Sequence, residues 1–125
     1  MKKFVKSFKH ALDGLILELK RERNLKIDII IMIFIIILGV LFKISNMEWI
    51  ICIILFASVI SAELFNTAIE RIVDVIMPEK NDKAKAIKDI SAGAVLVLAV
   101  GSGIIGLFIF YPKILQIISN ISFIN

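Results

Sequence analysis

The chain has 125 residues, of which 59% are apolar and 21% are charged, so it is too hydrophobic for an ordinary soluble domain and too short for two domains. Six Gly, two Pro and a single cysteine, Cys52, exclude collagen-like repeats and a disulfide framework, and the low polarity excludes a disordered chain. The net charge of +4 comes from Lys and Arg residues that flank long apolar runs, which indicates one integral-membrane unit over residues 1–125 and no nucleic-acid partner.

Residues 1–26 form the first predicted element, an amphipathic helix. Lys2, Lys3, Lys6 and Lys9 fall on one side of a helical projection, while apolar residues recur on the other side at spacings of one, three and four. These apolar residues are Phe4, Val5, Phe8, Ala11, Leu12, Leu15, Ile16 and Leu19. We expect the helix to lie on the inner leaflet, because its basic face attracts anionic headgroups while its apolar face enters the membrane boundary.

Three apolar runs follow, and each predicts a membrane-spanning helix. The predicted helices cover residues 27–42, 49–77 and 88–111. Trp49 opens the second run as an interfacial anchor, and Pro78 begins a polar loop before the third. The third run holds 22 uncharged residues, about 33 Å of helix, which is enough to cross the hydrocarbon core of a bilayer. The predicted fold is therefore all-α, with a surface helix and three spans.

The distribution of Lys and Arg orients these spans. Eight of the fifteen precede the first span, and five more lie between the second and third spans or at their edges. Only Lys43 and Lys113 remain for the opposite side. Because cytoplasmic segments carry the excess of positive residues, we expect a plasma-membrane protein with its N-terminus inside and its C-terminus outside.

Polar residues in the second span share one helical face. Glu63, Asn66, Glu70 and Asp74 occur at offsets of zero, three, seven and eleven, which places them within a stripe about 80° wide. Carboxylates near the hydrocarbon boundary are costly and usually face a cavity, a metal or a partner helix. Hydrogen bonding between helices, or a solvated helix end, is the alternative explanation.

Further charged groups are expected at the same depth. Lys88 and Asp89 begin the third span, and Glu22 precedes the first. Carboxylates beside a lysine suit a magnesium nucleotide, since the ion prefers oxygen ligands and the phosphates need a cation. A solvated salt-bridge cluster would leave the same pattern. No phosphate-binding loop of the G-x-x-x-x-G-K-[ST] type occurs, and the G-x-G-x-x-G match at Gly101 lies within an apolar span with no strand before it.

Two segments resemble a known family. They are Glu63-Leu-Phe-Asn66-Thr67-Ala-Ile-Glu70-Arg-Ile-Val-Asp74 and Lys88-Asp89-Ile-Ser-Ala-Gly-Ala-Val95, with Glu22-Arg23-Asn24 upstream. Together they resemble the small bacterial membrane lipid kinases, the diacylglycerol kinase and undecaprenol kinase family. The resemblance implies a homotrimer with active sites between neighbouring protomers, ATP as co-substrate and Mg²⁺ as cofactor.

The resemblance also implies roles by position. Glu63 matches the general base that accepts the proton of the lipid hydroxyl, and Glu22 and Glu70 match the glutamates that coordinate the metal of Mg-ATP. Asn66, Lys88 and Asp89 match the remaining active-site polar residues, with Lys88 expected to neutralise phosphate charge. Asp28 departs from the undecaprenol kinase branch, which often has histidine at this position.

The leading hypothesis is an ATP-dependent kinase that converts undecaprenol to undecaprenyl phosphate, because the segments at Glu22 and Ser91 look more like the Gram-positive branch. The alternative within the family is a diacylglycerol kinase that makes phosphatidic acid. Two other classes stay open from the residues alone. One is a small proton-coupled exporter with an intramembrane glutamate, and the other is a scaffold or pore-forming protein.

Overall fold

The computed structural model describes residues 1–124, and every regular element in that range is an α-helix. The four helices are α1 (Lys2–Arg21), α2 (Arg23–Leu41), α3 (Asn46–Ile76) and α4 (Asp82–Ser122). The last three are long and apolar enough to cross a membrane. The all-α fold predicted from the sequence is therefore confirmed, and α2, α3 and α4 are three candidate membrane spans. Residues 42–45 join α2 to α3 at what we call the turn end, and residues 77–81 join α3 to α4 at the loop end.

The boundary between α1 and α2 lies at Glu22, earlier than the predicted change at residue 26. Glu22 has an extended backbone, with φ −90° and ψ 119°, between two helices that otherwise adjoin. Its N–H still donates to the Glu18 carbonyl at 2.8 Å, so the chain turns without a loop. Hydropathy reports where a helix enters hydrocarbon and cannot detect a bend in the polar turn before it. The side chain of Glu22 is consequently placed at a corner.

The turn end is closed by two capping arrangements. Lys43 takes a left-handed backbone with φ 52°, and the Ile44 N–H donates to the Gly39 carbonyl at 3.1 Å, the pattern of a Schellman motif that ends α2. Ser45 and Glu48 then form a capping box, in which each side chain accepts from the other's backbone N–H. As a result α3 begins at Asn46, three residues before the predicted start at Trp49.

Helix α4 is longer at both ends than the predicted 88–111. Its N-terminus is capped by Asn81, whose Oδ1 accepts from the Ala84 N–H at 2.7 Å, so the polar residues that predicted a loop form two helical turns. At the other end the helix continues through Pro112 to Ser122. Proline removes one backbone hydrogen bond but does not end the helix here. The loop end is therefore only five residues long.

The best packed part of the chain is the turn end. Ile44, Cys52, Ile109 and Phe110 are buried together there. Trp49 lies so close to Gly39 that a Cβ on the glycine would stand 2.6 Å from a ring carbon. Elsewhere large apolar side chains cover the outer faces of the spans and stay exposed in the single chain, as expected for surfaces that meet lipid or another subunit.

Candidate active site

The polar stripe of α3 turns inward, towards the other helices. Glu63, Asn66 and Thr67 are 9%, 8% and 7% exposed, even though no other subunit covers them. Asp74, the last member of the predicted stripe, is exposed at the loop end. The helical period thus buries these three polar residues, while the end of the helix reaches out of the packed region.

Asn66 holds the side chain of Glu70. Its Nδ2 donates to Glu70 Oε1 at 3.2 Å, one helical turn away. The Asn66 Oδ1 is buried and has no hydrogen-bond partner within residues 1–124. A buried acceptor without a partner is costly, so this oxygen is available to a donor from a ligand.

Arg71 connects the corner at Glu22 with α3. Its guanidinium donates to both carboxylate oxygens of Glu18, at 2.6 and 2.8 Å, and lies 3.7 Å from a carboxylate oxygen of Glu22. Fork-shaped pairs of this kind fix geometry as well as charge. Neither Glu18 nor Arg71 was among the predicted site residues. The available signal was that Glu18, a carboxylate on α1, lies at the edge of that helix's apolar face.

Glu63 and three other carboxylates form an acidic group. The charges of Asp28, Glu70 and Glu22 are close enough to act on Glu63, although they come from α2, α3 and the corner between α1 and α2. Asp28 Oδ2 is buried without a hydrogen-bond partner in the described chain. Three of these four residues were predicted, and Asp28, which was noted only as a departure from the family pattern, is the addition made by the structure.

The gathered carboxylates do not form a complete metal site within one chain. No group of three His, Cys, Asp or Glu side chains in residues 1–124 is close enough together to hold an ion. The donor type is nevertheless suitable, because carboxylate oxygens are the ligands that Mg²⁺ prefers and the ion usually takes only one or two of them, with phosphate oxygens and water for the rest.

Lys88 and Asp89 are engaged elsewhere. Lys88 forms an ion pair with Asp74 across the loop end, and Asp89 accepts from Lys85 at 2.5 Å on the same helix. Both pairs are largely exposed, so water competes with them and they are weak. The structure therefore brings Glu22, Glu63, Asn66 and Glu70 to one region but does not join the predicted pair on α4 to that group by any ion pair.

An apolar cavity begins beside the acidic group. It has a volume of about 460 Å³ and lies between α2, α3 and α4. Asp28 lines its inner end, and along α2 the lining continues to Leu38, about 15 Å away as helix rise. On α3 the lining ends at Ile60, one turn before Glu63. A hydrocarbon chain in this cavity would therefore place its polar head at the carboxylates.

Comparisons with known proteins give matches over most of the chain. The family described as prokaryotic diacylglycerol kinase matches residues 9–110. Undecaprenol kinase of Bacillus subtilis is 44% identical over 114 residues, which are 91% of this chain and 93% of that protein. Diacylglycerol kinase of Synechocystis is 29% identical over 112 residues, 89% of this chain and 64% of the relative. The family match includes all the predicted site residues and stops before the last turns of α4.

Proposed function

This chain belongs to the prokaryotic diacylglycerol kinase family and is a membrane lipid kinase, and we propose that it phosphorylates undecaprenol to undecaprenyl phosphate. The observation that carries the substrate proposal is the 44% identity with an undecaprenol kinase over nearly the whole of both chains. Diacylglycerol is the second candidate, favoured by the family description and by the weaker relative. Membership of a kinase family sets aside the exporter and the scaffold, which the residues alone left open.

Glu63 is proposed as the general base. The lipid hydroxyl gives its proton to the Glu63 carboxylate while its oxygen bonds to the γ-phosphorus of ATP, and the bond from that phosphorus to the bridging oxygen breaks to release ADP. Support comes from burial of Glu63 one turn beyond the inner end of the apolar cavity. In this position the base meets an alcohol whose tail stays in hydrocarbon.

Glu22 and Glu70 are proposed to hold Mg²⁺ together with the phosphates of ATP. The bound ion would neutralise charge on the phosphate oxygens. Asn66 orients Glu70 through the hydrogen bond between them, and its Oδ1, which has no partner among residues 1–124, can accept from the nucleotide. Lys88 would neutralise further phosphate charge, for which it must exchange its exposed pair with Asp74 for the nucleotide, and Asp89 lies beside it.

A homotrimer with active sites shared between protomers is proposed as the working unit. Support comes from the resemblance to the family, which implies such a trimer. We also propose that α1 lies on the inner leaflet with the loop end facing the cytoplasm, because Phe4 and Phe8 expose 75% and 64% of their surface on its apolar face. ATP would then approach from the cytoplasmic side of the plasma membrane.

A substrate comparison tests the function. Purified protein in mixed micelles with Mg²⁺ and ATP is given undecaprenol or dioleoylglycerol in equal mole fraction. We expect phosphorylation of undecaprenol with a higher kcat/KM than for the glycerolipid. A preference for the glycerolipid would replace the proposed substrate by the second candidate. A folded protein that phosphorylates neither lipid would remove the proposed function.

A further inference from the structure

The ion pair of Arg71 with Glu18 is a feature that the kinase assignment does not use. The guanidinium donates to both oxygens of the Glu18 carboxylate, at 2.6 and 2.8 Å, across 53 positions of the chain. Of the residues of α1, all of which lie within the described range, Glu18 alone is buried. The pair therefore attaches the last turn of α1 to α3, while the rest of α1 stays exposed or half-buried.

The corner at Glu22 depends on this attachment. Glu22 has an extended backbone between α1 and α2, and its N–H donates to the Glu18 carbonyl at 2.8 Å. Glu18 thus contacts α3 with its side chain and the corner with its backbone. A residue between two helices is a place where φ and ψ can change, so contacts around it are needed to fix its direction. Through Glu18, Arg71 fixes where the corner lies relative to α3.

This arrangement leaves the Glu22 carboxylate available. Arg71 makes its two hydrogen bonds with Glu18, and its distance to the nearest Glu22 oxygen is 3.7 Å, beyond hydrogen-bond range. The Glu22 side chain also makes no capping bond within residues 1–124. A guanidinium fork on Glu22 itself would compete with a metal ion for the same oxygens. Glu18 takes the guanidinium instead, so the carboxylate that anchors the corner is separate from the one proposed to bind the ion.

We propose that Arg71 is a positioning residue, which acts through Glu18 to hold Glu22 at a fixed distance from Glu70 for a magnesium nucleotide. Arg71 follows Glu70 directly on α3, so its attachment to α1 ties the two proposed metal ligands together. This role rests on the proposed function of Glu22 and Glu70, and it adds a residue that touches neither the metal nor the nucleotide. Replacing a partner that orients a metal ligand typically lowers metal affinity or activity roughly 10- to 100-fold.

Steady-state kinetics and nucleotide binding test this role together. Arg71→Leu in the full chain should raise KM for ATP roughly tenfold at saturating Mg²⁺, while kcat and KM for the lipid change by less than about threefold. Affinity for a non-hydrolysable ATP analogue with Mg²⁺, measured from the rise in thermal unfolding temperature that it causes, should fall by the same factor. Arg71→Lys keeps the charge but loses the fork, so it should weaken binding nearly as much.

Lys113→Leu is the matched control. It breaks another partly buried ion pair, with Glu48 at 2.7 Å, at the turn end of the bundle. A variant that only loses folded protein has a lower apparent kcat with an unchanged KM, because unfolded chains bind no substrate. Lys113→Leu should therefore keep the parent's KM for ATP. A parent-like KM in Arg71→Leu, or an equal rise in KM in both variants, would overturn the positioning role.

A double-mutant cycle shows whether Arg71 acts through Glu22. In a Glu22→Gln background, Arg71→Leu should raise KM for ATP by less than about a further twofold, because the ligand that it positions is already impaired. A full tenfold addition would mean that Arg71 binds the nucleotide directly, and a normal KM in Arg71→Lys would mean that its charge suffices. Either result would overturn the proposal.

The same cycle separates this proposal from the proposed function. A raised KM in Glu22→Gln with an unchanged KM in Arg71→Leu would remove only the positioning role and leave the proposed metal ligands in place. Unchanged KM and analogue binding in Glu22→Gln would remove the metal role of Glu22, and the positioning role with it.

Discussion

The two ends of the helix bundle differ in how completely one chain satisfies its own groups. At the turn end, the capping hydrogen bonds and the ion pair of Glu48 with Lys113 give nearby polar groups their partners. A buried apolar cluster packs beside them. Towards the loop end, the charges of Asp28, Glu22 and Glu70 act on Glu63, and buried oxygens of Asp28 and Asn66 have no hydrogen-bond partner within the described residues 1–124. Unsatisfied groups persist where a ligand or another subunit completes them, so the contrast separates the part that builds the fold from the proposed active site.

The largest expected effect tests the acidic end. Glu63→Gln keeps the size of the side chain but removes the proton acceptor, so kcat should fall by about 10² to 10⁴ while KM for ATP changes by less than about twofold. Steady-state kinetics with undecaprenol measures both. Glu79→Gln, in the exposed loop, is the matched control. An unchanged kcat in Glu63→Gln would remove this residue as the base.

The next effect tests the turn end. Gly39→Ala places a Cβ against the Trp49 ring, and such overpacking should lower the free energy of unfolding by about 1–3 kcal/mol. Thermal unfolding in mixed micelles measures it, and KM for both substrates should stay as in the parent. Gly101→Ala is the control, because a Cβ there meets nothing within 4 Å. Equal stability of the two variants would contradict the packing described here.

The third effect tests the ion pair of Arg71 with Glu18. Arg71→Leu should lower the free energy of unfolding by about 1–2 kcal/mol, because a mostly buried carboxylate is left without its donors. Arg71 itself is half exposed, which limits the effect. A double-mutant cycle with Glu18→Gln isolates the pair, and the losses should be less than additive. Full additivity would mean that the two side chains do not interact.

Asp28 belongs to the acidic group and also lines the cavity, so Asp28→Asn should raise KM for the lipid about three- to tenfold by altering the hydrogen bonds offered to a polar head. The KM for ATP should move much less. Kinetics at varied lipid mole fraction gives the first value and varied ATP the second. A change confined to ATP would place Asp28 at the nucleotide instead.

The smallest effect is a gain in stability. Lys43 has a left-handed backbone, which costs a residue with a side chain about 1–2 kcal/mol and costs glycine almost nothing. The greater entropy of glycine in the unfolded chain offsets part of this difference, so Lys43→Gly should raise the free energy of unfolding by about 0.5–1 kcal/mol. Lys43→Ala keeps the Cβ and should give no gain. Thermal unfolding of the two variants separates the backbone effect from loss of charge.

Much of this molecule was predictable because the relevant signals are local. Three spans follow from runs of apolar residues, and the inward face of Glu63 and Asn66 follows from the helical period. Capping signals at Ser45 and Asn81 were also in the sequence, and a prediction weighted towards hydropathy misplaced those helix starts. The continuation of α4 beyond Pro112 was not predicted. Proline usually ends a helix, but it is tolerated where the surrounding structure stabilises the helix.

The sequence by itself determined which segments are helical and which residue types share a helical face, since both depend on neighbours within a few positions. Tertiary structure decided which faces meet. The contact of Arg71 with Glu18, 53 positions apart, and the approach of Asp28 to Glu63 depend on how the helices rotate and cross as they pack. No periodicity within one helix contains that information, because packing is settled by the surfaces of several helices at once.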